Sequence, residues 1–131
     1  MSLAPDETRL AVERPEPLTQ TVNIWTLDLS SGIPSRQTLY PAQETDPTWS
    51  PDGRELVFSS NRDAHLKSDL YRKVVGGTGE QPLFESHDSK IPYQWLRDGS
   101  ILFLALDERA FYLLPSSGER KPVLFLRQDM V

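Results

Sequence analysis

The 131-residue chain has no cysteine. That excludes a disulfide framework and any thiolate metal site, while leaving the redox setting open. It also lacks an apolar run of the length a membrane span needs, and its first residues lack the charged and apolar regions of a secretory leader. Positive charge is in deficit: 14 Lys+Arg against 19 Asp+Glu give a net charge of -5. A broad nucleic-acid footprint, which needs clustered basic residues, is thereby excluded. No segment keeps a helical period, and eleven prolines work against long helices. Signatures of chemistry are missing as well. There is no Gly-x-Ser-x-Gly elbow, and Gly76-Gly77-Thr78-Gly79 lacks the Lys-Ser/Thr ending of a phosphate loop. His65 and His87 lie 22 residues apart on different connections without ligand spacing. The chain is therefore expected to be no enzyme and to hold neither metal nor cofactor.

What is present is a repeat. Pro5-Asp6, Pro51-Asp52 and Arg97-Asp98 recur at intervals of 46, Trp49 and Trp95 keep that interval, and Leu3 holds the same phase in the first copy. Further along, Asn23 to Gly32, Asp69 to Gly77 and Ala110 to Gly118 each place an aromatic residue before alternating apolar residues and a glycine turn. Trp25 and Tyr71 are again 46 apart, whereas Tyr112 arrives five residues early. A period of this length signals units that cannot bury their apolar surface alone and must stack on their neighbours.

Each copy reads as four short strands. In the second these are Asp46 to Ser50, Arg54 to Ser60, Asp69 to Val75 and Gln81 to Glu85. In the third they are Pro92 to Trp95, Ser100 to Leu106, Phe111 to Leu114 and Pro122 to Leu126. The first reads Thr8 to Glu13, Asn23 to Leu29 and Arg36 to Tyr40, with an opening strand compressed into Ser2 to Pro5. The recurring aspartates suit tight turns, where their side chains bond to nearby backbone. Ile101 to Leu106 is apolar at every position, so such a strand must be covered on both faces. A two-sheet sandwich would predict clean alternation; radially packed blades cover both faces. The fold class expected is all-β, three four-stranded antiparallel blades of a β-propeller, with blade 1 at 1–45, blade 2 at 46–91 and blade 3 at 92–131.

The stretch "DPTWSPDGRELVFSSNRD...DLYRKVVGG", from Asp46, resembles the TolB-type propeller repeat, a WD-repeat-like bacterial family. Its signature is Trp-Ser-Pro-Asp-Gly, an apolar strand, Ser-Asn-Arg-Asp and then Asp-Leu-Tyr. The second copy matches nearly throughout. The third has Leu96-Arg97-Asp98-Gly99 at the turn and no Ser-Asn-Arg-Asp, and the first keeps only Ala4-Pro5-Asp6-Glu7. The resemblance implies a propeller, commonly six-bladed, of the kind found in periplasmic TolB proteins and attached to some bacterial Ser/Thr kinases and transcription regulators. It leaves the compartment, periplasm or cytoplasm, unread.

Three blades do not close a ring. Either the chain is a segment of a longer propeller, as its opening in mid-repeat suggests, or a second copy completes six blades by association through the terminal blades. If strands run outward from the axis, the loop between strands two and three shares a ring face with the connections between blades. Glu44, Asp46, Arg62, His65, His87 and Lys90 would then gather on one rim. Replacing Arg62 and His65 there is expected to leave folding intact and to weaken binding. The reading that follows is a non-enzymatic interaction or sensor module recognising a protein partner or small polar ligand on that rim. The alternative is an accessory propeller of a prolyl-oligopeptidase-type hydrolase whose catalytic domain lies outside this chain.

Overall fold

A computed structural model describes residues 1–63, 67–118, 120–127 and 129. Among these residues twelve strands form three antiparallel four-stranded sheets, each in simple meander order. The first holds β1 (Ser2–Leu3), β2 (Arg9–Glu16), β3 (Thr21–Asp28) and β4 (Pro34–Arg36). The second holds β5 (Glu44–Trp49), β6 (Glu55–Ser60), β7 (Asp69–Val74) and β8 (Gln81–Phe84). The third holds β9 (Lys90–Trp95), β10 (Ile101–Ala105), β11 (Ala110–Leu114) and β12 (Val123–Arg127). This is the partial β-propeller that the repeat predicts.

Coverage of the middle strands on both sides is explicit in the second blade. On β6, Leu56 and Phe58 point toward the first blade and pack with Ala4, Ala11, Ile24, Trp49 and Tyr71. Val57, between them in sequence, points the other way and packs with Leu70, Trp95, Ile101, Phe103 and Leu114. Side chains of this size each contribute about 1.5–3 kcal/mol when buried, so each inter-blade seam is a core in its own right. Trp49 also donates its indole N–H to the Ser2 carbonyl at 2.9 Å, which ties the inner strand of one blade to that of the next.

The first strands begin two residues earlier than the sequence predicts, at Glu44 and Lys90. In β5 the ladder pairs Glu44 with Ser60 and Thr45 with Ser59, shifts register, and resumes at Thr48. Asp46, at φ 57, and Pro47 occupy that bulge; bulges accept a proline that a regular ladder would reject, so the proline reads as a stop where the strand in fact continues. In the first blade β4 lies at Pro34–Arg36 and not at Arg36 to Tyr40, because an edge strand needs no N–H from Pro34.

The three strand-one-to-two turns use their aspartates alike. Asp6 accepts from the Thr8 N–H and hydroxyl, Asp52 from the Arg54 N–H and Ser50 hydroxyl, and Asp98 from the Ser100 N–H and hydroxyl. These bonds hold all three carboxyls below the usual range. The residue that follows has positive φ in each: Glu7 at 62, Gly53 at 71 and Gly99 at 88.

Candidate functional site

Loops from successive blades converge on the ring face opposite these aspartate turns. The connection from β4 to β5 is stitched to the β6–β7 loop by the Gln43 N–H donating to Asn61 Oδ1 at 2.8 Å, and to the β2–β3 loop by the Gln43 side chain on the Gln20 carbonyl at 3.0 Å. The next inter-blade connection repeats the arrangement. Ser68 N–H donates to Ser89 Oγ at 3.2 Å, and the backbone N–H groups of Asp107 and Glu108 donate to the Asp88 carboxylate at 2.8 and 3.3 Å. Lys67 meets Asp107 at 3.0 Å across the top.

Beneath these loops lie two buried ion pairs. Glu44 is fully buried; its Oε1 accepts from Arg62 Nη2 at 2.8 Å and from Ser60 Oγ at 3.0 Å, while Oε2 has no partner among the described residues. Burial pushes the Glu44 carboxyl up, against the pull of the Arg62 charge and hydrogen bonds. The Arg62 guanidinium lies 4.4 Å from the Tyr71 ring centre and 4.6 Å from that of Tyr40, with Glu80 a further 3.8 Å contact. Tyr71 donates its hydroxyl to Asp63 at 3.0 Å, and burial together with that bond raises its pKa. In the third blade the position of Glu44 is taken by Lys90, equally buried. It bonds Asp69 at 2.6 Å and the Asp88 carbonyl at 2.6 Å.

Of the residues expected on the rim, Glu44 and Arg62 are therefore brought into direct contact, and Lys90 is held by its own pair. Asp46 is half-buried at the β5 bulge and donates its N–H to Glu13 at 2.8 Å. His87 is exposed on the β8–β9 connection, and His65 lies outside the described residues. The expectation that replacing Arg62 together with His65 leaves folding intact is corrected for Arg62: its side chain is only 11% exposed and pairs with a carboxylate that is 0% exposed. Sequence reasoning missed Tyr40, Asp63 and Glu80. Only the recurrence of an aromatic residue at Tyr71 in Asp-Leu-Tyr hinted at a stacking surface for a cation. Among the described residues no cluster of three or more His, Asp or Glu is placed to hold a metal ion, and no helix is long and apolar enough to cross a membrane.

No family model matches the chain. It is 30% identical over 112 residues to the uncharacterized peptidase YuxL of Bacillus subtilis, covering 79% of this chain and 16% of that protein. It is 26% identical over 93 residues to the uncharacterized protein Atu1656 of Agrobacterium fabrum, covering 70% and 31%. Among solved structures, a putative TolB from Agrobacterium tumefaciens superposes with a TM-score of 0.78 at 20% identity, over 92% of this chain and 47% of that one. TolB from Acinetobacter baumannii gives 0.79 at 19%, over 97% and 31%, and the isopeptidase AtxE2 gives 0.67 at 14%, over 98% and 29%. The chain spans less than half the length of each of these relatives. The likenesses establish the fold, a partial β-propeller that superposes on those of TolB proteins.

Proposed function

We propose that the chain is a non-enzymatic recognition module that presents one ring face to a protein partner or small polar ligand. The observation that carries this reading is the contrast between the floor and the lip of that face. Below, the Glu44–Arg62 and Lys90–Asp69 pairs fix the loops from beneath. Above, His87 and the 106–109 turn are exposed and Asp46 and Asp63 half-exposed. Polar loops positioned by a rigid scaffold are where propellers and other scaffolds carry binding. In this reading Glu44, Arg62 and Lys90 act by holding the loops, and Asp46, His65 and His87 by touching the partner.

The same reading includes a second copy at the ends of the arc. Leu3, Leu10, Val12 and Trp25 of the first blade hold the repeat positions of Trp49, Leu56, Phe58 and Tyr71, which pack against a preceding blade. At the other end, Tyr93 is 52% exposed and Val123 58%. Such surfaces call for cover. Sedimentation velocity is expected to give twice the monomer mass of 14.9 kDa; a cooperatively folded monomer would remove this part of the reading.

To test the recognition face, peptides selected against the chain from a random library would be mapped by amide chemical-shift changes. Shifts concentrated in 40–46, 61–63, 85–90 and 106–109 support the proposal. Shifts concentrated in the aspartate turns on the opposite face would overturn it. A second reading, an accessory propeller of a hydrolase, draws on the likeness to a protein named as a peptidase and to an isopeptidase. Both readings expect no turnover of fluorogenic peptides by the isolated chain, and turnover would sink both.

A further inference from the structure

Strand registers align the three blades residue by residue, and that alignment exposes a difference between the seams. Val12 pairs with Trp25 in the first blade, Phe58 with Tyr71 in the second and Phe103 with Tyr112 in the third. Trp25, Tyr71 and Tyr112 are thus the same position. Over Trp25 lies the Arg14 guanidinium, 4.4 Å from the ring centre. Over Tyr71 lies that of Arg62, also at 4.4 Å. Tyr112 instead faces a cavity of about 250 Å³ between the second and third blades. The reason is in the chain: the β6–β7 loop spans 61–68 and supplies Arg62, whereas the β10–β11 loop is only 106–109, and Asp107 stands two residues past Ala105 as Arg62 stands two past Ser60.

The cavity is far larger than the roughly 10–15 Å³ one water needs, and its lining is that of a cation slot. Phe84, Phe103 and Tyr112 supply aromatic walls, with Phe103 and Tyr112 stacked at 5.8 Å. Asp88 and Glu108 place carboxylates at its edge. Both are fixed: Asp88 accepts the two backbone N–H groups of the 107–108 turn, and Glu108 accepts the Tyr112 hydroxyl. Lys90 also lines the cavity, its ammonium 5.4 Å from the Phe84 ring centre, and its charge is matched by Asp69 at 2.6 Å. That leaves Tyr112 and Phe103 as the walls without a cation over them among the described residues. Arg109 and Arg127 line a neighbouring cleft that shares Glu108, and the Arg127 charge is felt at the Tyr112 hydroxyl. Within the lining itself two carboxylates, Asp88 and Glu108, stand against the one ammonium of Lys90.

We infer that this inter-blade cavity binds the guanidinium of an arginine carried by a partner peptide, stacked on Tyr112 and paired with Glu108, as Arg62 is stacked on Tyr71 and paired with Glu44. A planar, weakly hydrated guanidinium suits an aromatic wall with a carboxylate beside it better than a compact ammonium does. The inference rests on reading this face as the recognition face and adds to it what kind of side chain is recognised.

The test titrates the intact chain with acetyl-Gly-Arg-Gly-amide, following backbone and aromatic NMR shifts, alongside the same tripeptide with citrulline or lysine. Saturable shifts at Phe84, Phe103 and Tyr112, at least tenfold weaker for citrulline and several-fold weaker for lysine, are expected. Glu108→Gln, a change at an exposed side chain, is expected to weaken arginine binding several-fold while leaving the Tm unmoved. Equal affinity for arginine and citrulline, shifts lying elsewhere, or no saturation at high millimolar peptide would overturn the inference. Library peptides that bind the loop face without arginine, together with a silent tripeptide, would overturn it and leave the broader recognition reading standing.

Discussion

Replacing Arg62 by methionine keeps an unbranched stem against Tyr71 and Phe58 and removes the charge. Glu44 would then be a fully buried carboxylate with only the Ser60 hydroxyl, at 3.0 Å, for a partner. Breaking a buried pair from one side costs about 3–5 kcal/mol, because the remaining charge is stranded; an exposed pair would cost about 1 kcal/mol at most. The pH dependence carries the diagnosis. Burial already raises the Glu44 pKa, and Arg62 is the main influence lowering it, so the variant raises it further. A carboxyl whose folded pKa lies above its unfolded value favours the fold when protonated. The penalty should therefore be small below the ordinary value of 4.5 and grow as pH rises through the folded pKa. Urea denaturation followed by tryptophan fluorescence, at fixed protein concentration because association shifts apparent stability, would measure the loss at pH 7 and near pH 4.5. Adding Glu44→Gln to the variant should recover about 1–3 kcal/mol at pH 7. A loss under about 1 kcal/mol, or one equal at both pH values, would refute the buried-pair reasoning and restore Arg62 to a solvated loop.

Other outcomes follow from the turns. Glu7 holds φ 62 where the equivalent positions are Gly53 and Gly99, so Glu7→Gly should raise stability by about 1 kcal/mol, seen as a Tm higher by several degrees. Gly99→Ala combines φ +88 with a Cβ that would lie 2.8 Å from Ser116 Cβ; it should cost about 1–3 kcal/mol from conformation alone, and an unchanged denaturation midpoint would contradict the turn geometry. Bonds from Ser30 and Ser31 hold the Asp28 carboxyl down to about 2. Its stabilising contribution is in place above the ordinary 3.8 and is lost as pH falls through about 2, and a carboxyl-carbon NMR titration should place its midpoint below those of exposed glutamates.

The repeat and its strands were legible because blade packing writes itself locally: continuous apolar runs such as Val57-Phe58 and Phe103-Leu104 need cover on both faces, and Pro-Asp-Gly marks a turn by its own chemistry. The site was legible only in outline. Glu44 and Lys90 share a repeat position, and the topology put them on one rim with Arg62, but nothing local says that a polar loop arginine is buried. Its neighbours Tyr40, Glu44 and Tyr71 come from separate segments and meet only once the blades are stacked. The third blade hides a different change. Trp95 and Asp98 keep the 46-residue interval, yet Trp95 pairs with Ile101 where Trp49 pairs with Leu56. One residue is lost after the turn, so Phe103, and not Leu104, becomes the counterpart of Phe58.

Convergence of loops from neighbouring blades on one face underlies both the recognition reading and the arginine slot. Zero-length carbodiimide cross-linking of the native chain, with the linked peptides identified by mass spectrometry, interrogates it directly. Lys67 and Asp107, 40 residues apart in sequence and 3.0 Å apart across the β6–β7 and β10–β11 loops, should give an intramolecular amide. Lys67 joined instead to Asp6, Asp52 or Asp98, the aspartates of the opposite turns, would contradict the arrangement of the two faces.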